Sequence, residues 1–190
     1  MPERPTKIVT HPDLPPWQIE WHAELESTMD RARGLALAGA PAGTVVVADF
    51  QSKGRGTRGR PWIAPPGTCL MFTFIIRGDY DAAYLSALPG RVAELAAGVL
   101  RRNYGLGVEV KPPNDLLVGE RKLAGVLCMS QVSGERSQWA ICGLGINTNL
   151  SADEAVVPNS TSLRMEGIEP VSHARLLERL LAAFDTLRQN

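Results

Sequence analysis

A glycine-rich loop carries a dense cluster of cationic side chains. Residues 52–67 read SKGRGTRGRPWIAPPG, and GRGTRG within them fits the pattern G-x-G-x-x-G. The four cations are Lys53, Arg55, Arg58 and Arg60. Backbone N–H groups and guanidinium forks can bind a small polyanion or a carboxylate together. The loop alone leaves two other interpretations open, a nucleic-acid grip and a flexible solvated hairpin.

The residues after the loop exclude the familiar nucleotide-binding glycine motifs. A dinucleotide-binding turn passes directly into a helix, whereas here three prolines follow and the next predicted element is a strand. A protein kinase would also carry V-A-I-K, H-R-D and D-F-G motifs, and a Walker A loop would end in G-K-[ST]; the chain contains none of these. The loop therefore connects two strands.

Three further segments place polar side chains beside predicted elements. The segment KPPNDLLVGERKLAGVLCMS joins a Pro-Asn-Asp turn to a hairpin and puts Lys122 at the start of an apolar strand. ICGLGINTNL delivers Asn147 at the end of another strand, and ESTMDRA puts Ser27 and Thr28 at a helix N-terminus. On its position alone, Lys122 is either a surface lysine that opens a strand or an anion-binding group.

The elements that must position these side chains form an α+β pattern. Strands are predicted over 17–25, 44–50, 68–77, 107–111, 115–118, 122–130 and 138–150. Helices are predicted from an N-cap at Ser27–Thr28 to Gly39, over 82–105 with Pro89 kinking the helix or marking its start, and over 174–190. Residues 1–16 are predicted to be an extended lead-in. We expect one domain over 1–190, with a mixed, largely antiparallel sheet and helices packed on one face.

Composition narrows the function class. The formal net charge is +0, so no overall field favours DNA, RNA or an anionic membrane. No segment approaches 18 apolar residues and the N-terminus lacks an apolar signal region, which predicts a cytoplasmic protein. Cys69, Cys128 and Cys142 stand singly, and we expect buried free thiols in a reducing compartment.

Taken together and in order, the motifs resemble the catalytic domain of biotin–protein ligases, within the biotin/lipoate protein ligase superfamily. That family carries S-T-N at its first helix, Q-x-x-G-R-G-R-x-G-R-x-W in the loop, K-W-P-N-D followed by R-K-L-A-G-I-L, and G-x-G-I-N. The matching residues are Ser27–Thr28, Gln51–Trp62, Lys111–Asp115, Arg121–Leu127 and Gly143–Asn147. The resemblance covers nearly the whole chain and implies a class II synthetase-like fold.

The resemblance implies a two-step reaction. Biotin's carboxylate would attack the α-phosphate of MgATP to give biotinyl-adenylate and pyrophosphate. A lysine of the biotin carboxyl carrier domain of a carboxylase would then take the acyl group and release AMP. The implied small molecules are ATP, Mg²⁺ and biotin, and the resemblance is compatible with a homodimer.

The resemblance also assigns roles to individual positions. Lys122 and Arg55 would be catalytic, with Lys122 holding the carboxylate and the α-phosphate together. The biotin-binding residues would be Ser27, Thr28, Gln51, Gly56 and Lys122. The nucleotide-binding residues would be Arg55, Gly56, Thr57, Arg58, Trp62, Asn114 and Asn147, and Asp115 would bind the metal. Trp62 would pack on the adenine or would be a core tryptophan, and turn formation is an alternative role for Asn114 and Asp115.

The chain departs from the family pattern at several points. Met29 stands where the family often has Asn, Thr57 replaces the second arginine of the loop, and Pro113 replaces the tryptophan of K-W-P-N-D. We expect no C-terminal β-barrel domain and no N-terminal helix-turn-helix, and hence no operator binding.

Two other functions remain open at this point. One is a ligase or transferase that handles lipoate or octanoate on the same fold. The polar set Ser27, Thr28 and Gln51 suits the ureido ring of biotin better than an acyl tail. The other is a non-catalytic module that binds biotin or its adenylate.

Overall fold

One eight-stranded sheet runs through the part of the chain that the computed structural model describes, residues 7–10, 17–155 and 157–187. The strands are β1 Lys7–Thr10, β2 Gln18–Leu25, β3 Thr44–Gln51, β4 Cys69–Asp81, β5 Val108–Lys111, β6 Asp115–Val118, β7 Arg121–Ser130 and β8 Arg136–Asn147. Their order across the sheet is β1-β2-β3-β4-β8-β7-β6-β5. The β2–β3 pair is parallel and the other neighbouring pairs are antiparallel, which confirms the predicted α+β class with a largely antiparallel sheet.

Two helices cover one face of the sheet and build the main core. These are α2 Ala82–Tyr104 and α3 His173–Phe184. Phe72 and Phe74 of β4 stack with Phe184 of α3, at ring-centroid distances of 6.4 and 5.1 Å. The apolar positions predicted for the last helix, 176, 177, 180, 181, 184 and 187, are all buried.

The remaining helix, α1 Thr28–Leu37, lies on the opposite face, so the expectation that all helices share one face is wrong. Its small apolar residues Ala32 and Ala36 pack in a second cluster with Val46, Ile75 and Ile141. The neighbouring residues on β3 and β4 belong to the main core instead, because successive strand residues point to opposite faces. The central strands are therefore covered on both sides.

Most element boundaries agree with the prediction to within three residues, and β4 extends further, to Asp81 where 77 was predicted. Helix α2 begins at Ala82, where the Asp81 side chain accepts a hydrogen bond from the Tyr84 backbone N–H at 2.7 Å, and Pro89 lies inside it. The predicted lead-in contains strand β1, and the rest of residues 1–16 lies outside the described residues. The closing helix ends at Phe184 and is followed by a 3-10 turn over 185–187, while 188–190 are not described. Among the described helices, none is long and apolar enough to cross a membrane.

Candidate active site

Two connected cavities lie between the glycine-rich loop and strands β7 and β8. The first, which we call the inner cavity, comprises about 450 Å³ of empty space that includes open solvent. It is lined by Thr28, Met29, Gln51, Arg55, Gly56, Thr57, Trp62, Met71, Phe72, Asn114, Lys122, Gly125, Val126, Leu127, Gly143, Leu144 and Gly145. The second, the outer cavity, comprises about 1180 Å³ of empty space that includes open solvent. It is lined by Gly56, Thr57, Arg60, Pro61, Trp62, Ile63, Lys111, Asp115, Leu117, Glu120, Lys122, Asn147, Leu150, Glu154, Val157, Pro158, Asn159 and Ser160. Gly56, Thr57, Trp62 and Lys122 line both cavities and therefore form the junction between them.

The polar end of the inner cavity is built where β3 ends against the start of α1. The side-chain carbonyl of Gln51 accepts hydrogen bonds from the Thr28 backbone N–H at 2.7 Å and from the Thr28 hydroxyl at 3.1 Å. Thr73 donates to the same hydroxyl at 2.9 Å, which fixes its rotamer. The Gln51 amide nitrogen contacts the Met71 sulfur at 3.2 Å, a weak acceptor. An N–H group of Gln51 therefore remains available for a ligand's carbonyl oxygen.

Ser27 occupies the N-cap position of α1, but its hydroxyl makes no capping hydrogen bond. The carboxamide of Gln51 satisfies the first backbone N–H of the helix instead, so the predicted Ser27 cap is wrong in its chemistry. The Ser27 hydroxyl is buried and has no partner among the described residues. It does not line either cavity, so the structure places it behind Thr28 rather than at the cavity surface.

Met29 replaces the amide of the family pattern with an apolar wall. Its side chain is buried and lies against β8 at a residue without a side chain. A Cβ atom on Gly143 would stand 2.5 Å from the Met29 sulfur, far closer than a non-bonded contact allows. Gly143 is therefore the space in which Met29 packs.

Trp62 forms the wall that the two cavities share. Its indole lies flat over two strand glycines: a Cβ atom would stand 2.6 Å from its Cε2 atom if placed on Gly145, and 3.3 Å from its Cζ3 atom if placed on Gly125. The indole Nε1–H is buried without a partner among the described residues. Trp62 is half-buried and lines both cavities, so its predicted contact with the adenine stays a prediction.

Lys122 lies at the junction, paired with a carboxylate. Its Nζ atom is 2.6 Å from Asp115 Oδ1 and 5.9 Å from the centroid of the Trp62 ring. Its backbone is held from outside the sheet, because its N–H donates to Asn159 at 2.7 Å and its carbonyl accepts from Thr161 at 2.8 Å. The side chain remains 31% exposed. Lys122 is thus fixed at both ends and faces both cavities, which is not the position of an ordinary surface lysine.

The two asparagines predicted to bind nucleotide also hold the walls of the site. The side-chain amide of Asn114 donates to the Val126 carbonyl at 2.8 Å. The backbone carbonyl of Asn114 accepts from the Val126 N–H, also at 2.8 Å. Asn147 donates to the Thr161 carbonyl at 2.8 Å and accepts from the Cys69 thiol at 3.2 Å. Both side chains are nearly buried. They join the strands to the segments that surround Lys122.

Three of the four loop cations have polar partners among the described residues. Lys53 pairs with Glu26 at 2.6 Å, and Arg55 pairs with Asp30 at 2.9 Å, so these two cations attach the loop to the residue that follows β2 and to α1. Arg60 donates to the hydroxyl and carbonyl oxygens of Thr57, at 3.2 and 3.4 Å.

Arg58 behaves differently from the other loop cations. It has a left-handed backbone, with φ of 58°, and it lines neither the inner nor the outer cavity. Its predicted nucleotide contact is therefore not supported by the position of its side chain.

Two other kinds of site, one with a thiolate nucleophile and one with a metal ion held by several side chains, are not indicated by the described residues near the cavities. Burial raises the pKa of the Cys69 thiol to about 12, and all three cysteines are unpaired, as predicted, although Cys128 is only half-buried. Cys69 is therefore no thiolate nucleophile at neutral pH. Among the described residues, no group of three or more His, Cys, Asp or Glu side chains could hold a metal ion.

The segment after β8 contributes a part of the site that the motifs did not indicate. Leu150, Glu154 and residues 157–160 line the outer cavity, and Val157 is 46% exposed there beside Ile63, at 57%. The sequence signal was weak, since NTNLSADEAVVPNSTSL reads as a loop. Its position directly after G-L-G-I-N was the available clue.

Comparison with known proteins agrees with this geometry. The model of the biotin/lipoate A/B protein ligase family matches residues 21–147. The bifunctional ligase/repressor BirA of Bacillus subtilis is 30% identical over 168 residues, which cover 87% of this chain and 52% of that protein. The biotin–[acetyl-CoA-carboxylase] ligase of Paracoccus denitrificans is 34% identical over 170 residues, covering 85% of this chain and 69% of that protein.

Solved structures show the same fold. The biotin protein ligase of Aquifex aeolicus in complex with biotin and ATP superposes with a TM-score of 0.71 at 26% identity, covering 88% of this chain and 68% of that one. The chain spans about half the length of the Bacillus subtilis relative, 52%. The matched residues include the loop, Lys122 and the G-L-G-I-N strand. The chain belongs to the biotin/lipoate A/B protein ligase family.

Proposed function

We propose that this chain is an ATP-dependent biotin–protein ligase, which activates biotin as biotinyl-adenylate and transfers it to a lysine of a carrier domain. The observation that carries the proposal is the junction of the two cavities at Lys122 and Trp62. A small carboxylic acid in one cavity and a nucleotide in the other would meet beside a fixed cation. The relatives named as biotin ligases support this assignment.

The inner cavity suits biotin. It combines polar groups at one end with apolar side chains along its walls, as small-molecule sites commonly do. Gln51 offers an N–H to a ureido carbonyl at one end, while Met29 and Leu127 supply apolar walls for a ring and an aliphatic chain. A purely aliphatic acid such as octanoate would leave the Gln51 amide without a partner, which costs binding energy. The lipoate and octanoate alternative is therefore less favoured.

The proposed first step needs cationic charge at the junction. A carboxylate oxygen of biotin would form a bond to the α-phosphorus of ATP, and the bond from that phosphorus to the bridging oxygen would break, with both electrons leaving on pyrophosphate. The two anions repel each other, and Lys122 Nζ lies where it can contact both. Asp115, which pairs with the Lys122 ammonium group in the structure, would then share this group with the two substrates. Arg55 stands at the loop end of the inner cavity and would stabilise the acyl phosphate.

Magnesium is proposed as part of the ATP substrate. Mg²⁺ is commonly held by one or two carboxylates together with substrate phosphates and water. Asp115 and Glu154 line the outer cavity and are the candidate carboxylates. Since no group of three or more His, Cys, Asp or Glu side chains among the described residues could hold a metal ion, the phosphates of ATP would supply most of the negative charge around Mg²⁺.

In the proposed second step, a lysine amine of the carrier domain would attack the acyl carbon of the adenylate. The acyl–oxygen bond to phosphate would break, AMP would leave, and the amine would lose a proton to solvent. We propose the biotin carboxyl carrier domain of a carboxylase as the acceptor, as the name of the Paracoccus denitrificans relative suggests. A cytoplasmic location, with no nucleic-acid ligand, fits the unpaired cysteines and the neutral overall charge. A homodimer stays a prediction.

Biotin-dependent exchange between ATP and labelled pyrophosphate tests the proposal. We expect exchange with biotin, none without an acid, and little with lipoate or octanoate. Biotinylation of a recombinant carrier domain should then follow. Exchange supported by octanoate rather than biotin would favour the acyl-handling alternative. Tight biotin binding without any exchange would favour the non-catalytic module.

A further inference from the structure

A third depression, the side groove, lies next to the two cavities. It comprises about 970 Å³ of empty space that includes open solvent. We call its cations, Arg58, Arg60 and Lys111, the rim, and its apolar lining residues, which include Pro89, Pro112, Pro113 and Leu127, the floor. It shares Thr57, Asn114, Val126 and Leu127 with the inner cavity, and it shares Thr57, Arg60, Lys111 and Asp115 with the outer cavity. The groove therefore adjoins the junction at which Lys122 lies. Of its three cations, Arg58 is the one that lines neither of the two cavities.

The rim carries uncompensated positive charge. No described carboxylate pairs with Arg58, Arg60 or Lys111, whereas the other two loop cations each have a carboxylate partner. The groove is lined by one carboxylate, Asp115, which is already paired with Lys122. Because the chain as a whole has a formal net charge of +0, this is a local cluster rather than part of a general basic surface.

Arg58 lines this groove from an unusual backbone conformation. The residue has φ of 58° in the turn at 57–59, and Gly59 follows with φ of 73°. A left-handed conformation is unfavourable for an arginine, and the turn gains no hydrogen bond from its side chain. The guanidinium is exposed and lines the side groove alone among the three depressions.

The apolar floor distinguishes a polypeptide from a phosphate as the occupant. Phosphate sites usually present converging backbone N–H groups, but two consecutive prolines on this floor, Pro112 and Pro113, have none to offer. An extended chain with acidic side chains would instead lay its apolar part on the floor and its carboxylates on the rim.

We propose that the side groove docks an acidic stretch of the acceptor protein, close in sequence to the lysine that receives the acyl group. The inference rests on the proposed ligase function and assigns it a protein-recognition surface. Arg58 would act in the transfer step through the carrier domain and would have no part in adenylate formation.

Charge reversal at Arg58 tests the inference, because the two half-reactions can be measured separately. Arg58→Glu should lower kcat/KM for transfer to a recombinant carrier domain by roughly 10-fold or more at low salt, and the difference should shrink as ionic strength rises. Biotin-dependent pyrophosphate exchange, and capture of the adenylate by hydroxylamine, should stay within about 2-fold of the parental rate. Arg175→Glu on α3, an exposed position away from all three depressions, controls for the change in overall charge. A lysine in place of an acidic residue beside the acceptor lysine should restore transfer by the Arg58→Glu variant.

Each other result overturns the inference in a recognisable way. A raised KM for ATP in the exchange reaction of Arg58→Glu would make the groove a polyphosphate site. Equal transfer by the parental chain and the variant, with exchange intact, would remove Arg58 from docking. A parental chain that shows no exchange at all would overturn the proposed function itself, together with the docking surface.

Discussion

Replacing Gly145 with alanine would set a new methyl group against the wall that separates the two cavities. The added Cβ atom would lie 2.6 Å from Trp62 Cε2 and 2.7 Å from Cζ2, and both belong to a rigid ring. Ordinary contacts between carbon atoms fall at about 3.5–4.0 Å, so the indole must move by about 1 Å. Since β8 lies on the other side of the methyl group, the ring can retreat only toward the cavities.

The displacement should cost both stability and activity. Overpacking of this kind costs about 1–3 kcal/mol, which corresponds to a Tm lower by roughly 2–12 °C in a domain of this size. A reactive geometry misplaced by about 1 Å loses on the order of 10²-fold in rate. We therefore expect Gly145→Ala to fold, to unfold at lower urea concentration, and to exchange pyrophosphate about 10–100 times more slowly.

Urea unfolding and biotin-dependent pyrophosphate exchange measure the two effects. Gly107→Ala is the matched control, because a Cβ atom there would meet no heavy atom within 4 Å. A second change identifies the cause, because Trp62→Leu removes the ring atoms that collide. The losses in unfolding free energy of Gly145→Ala and Trp62→Leu, added together, should therefore exceed the loss of the double variant by about 1 kcal/mol or more. Strictly additive losses, or a Gly145→Ala variant as active and stable as Gly107→Ala, would refute the proposed packing of Trp62.

Other predictions concern single residues. Lys122→Ala should keep the fold and reduce pyrophosphate exchange by on the order of 10²–10³-fold; exchange at the parental rate would remove Lys122 from the chemistry. Thr57→Arg should slow the release of preformed biotinyl-adenylate with little change in biotin affinity, because a charged fork replaces a neutral hydroxyl. An unchanged release rate would mean that Arg60, which already contacts Thr57, supplies that charge. Burial lowers the pKa of His173 below its ordinary 6.5, so the unfolded chain takes up the proton first and Tm should fall as pH drops below about 6.5. His173→Asn should flatten that decline between pH 7.5 and 5.5, and a parental-like slope in the variant would assign the acid sensitivity elsewhere. Hydrogen exchange in residues 52–67 should slow when biotinyl-adenylate binds, and equal protection would contradict loop closure.

The sequence predicted the elements of the site better than their contacts. The proline-rich exit of the glycine loop placed it between two strands, as the structure confirms. The cap of α1 could not be predicted in the same way, because the group that satisfies Thr28 is the Gln51 amide, 23 positions away. The pairing of Arg55 with Asp30 likewise joins residues that are distant in the sequence. Such contacts depend on where strands are placed in the sheet, which local patterns do not specify.

The sequence contains a signal that the sheet is covered on both faces. Positions 69–76, CLMFTFII, are buried without alternation, as expected for a strand covered on both faces. A sheet with helices on one face would show alternating burial there. The apolar run therefore indicates a helix on each face of the sheet. Because α1 packs through small residues, its sequence does not identify it as the helix on the second face.

The backbone contacts of Lys122 bear on how small a working fragment of this protein can be. A chain cut after Asn147, where the family match ends, would retain the loop, the lysine and every recognised motif. It would lose the Asn159 carbonyl that accepts from the Lys122 N–H and the Thr161 N–H that donates to the Lys122 carbonyl. It would also lose the Thr161 carbonyl that accepts from the Asn147 side-chain amide. Fragment complementation or gene splitting would therefore do better at the exposed turn 131–135 than at the edge of the recognisable sequence.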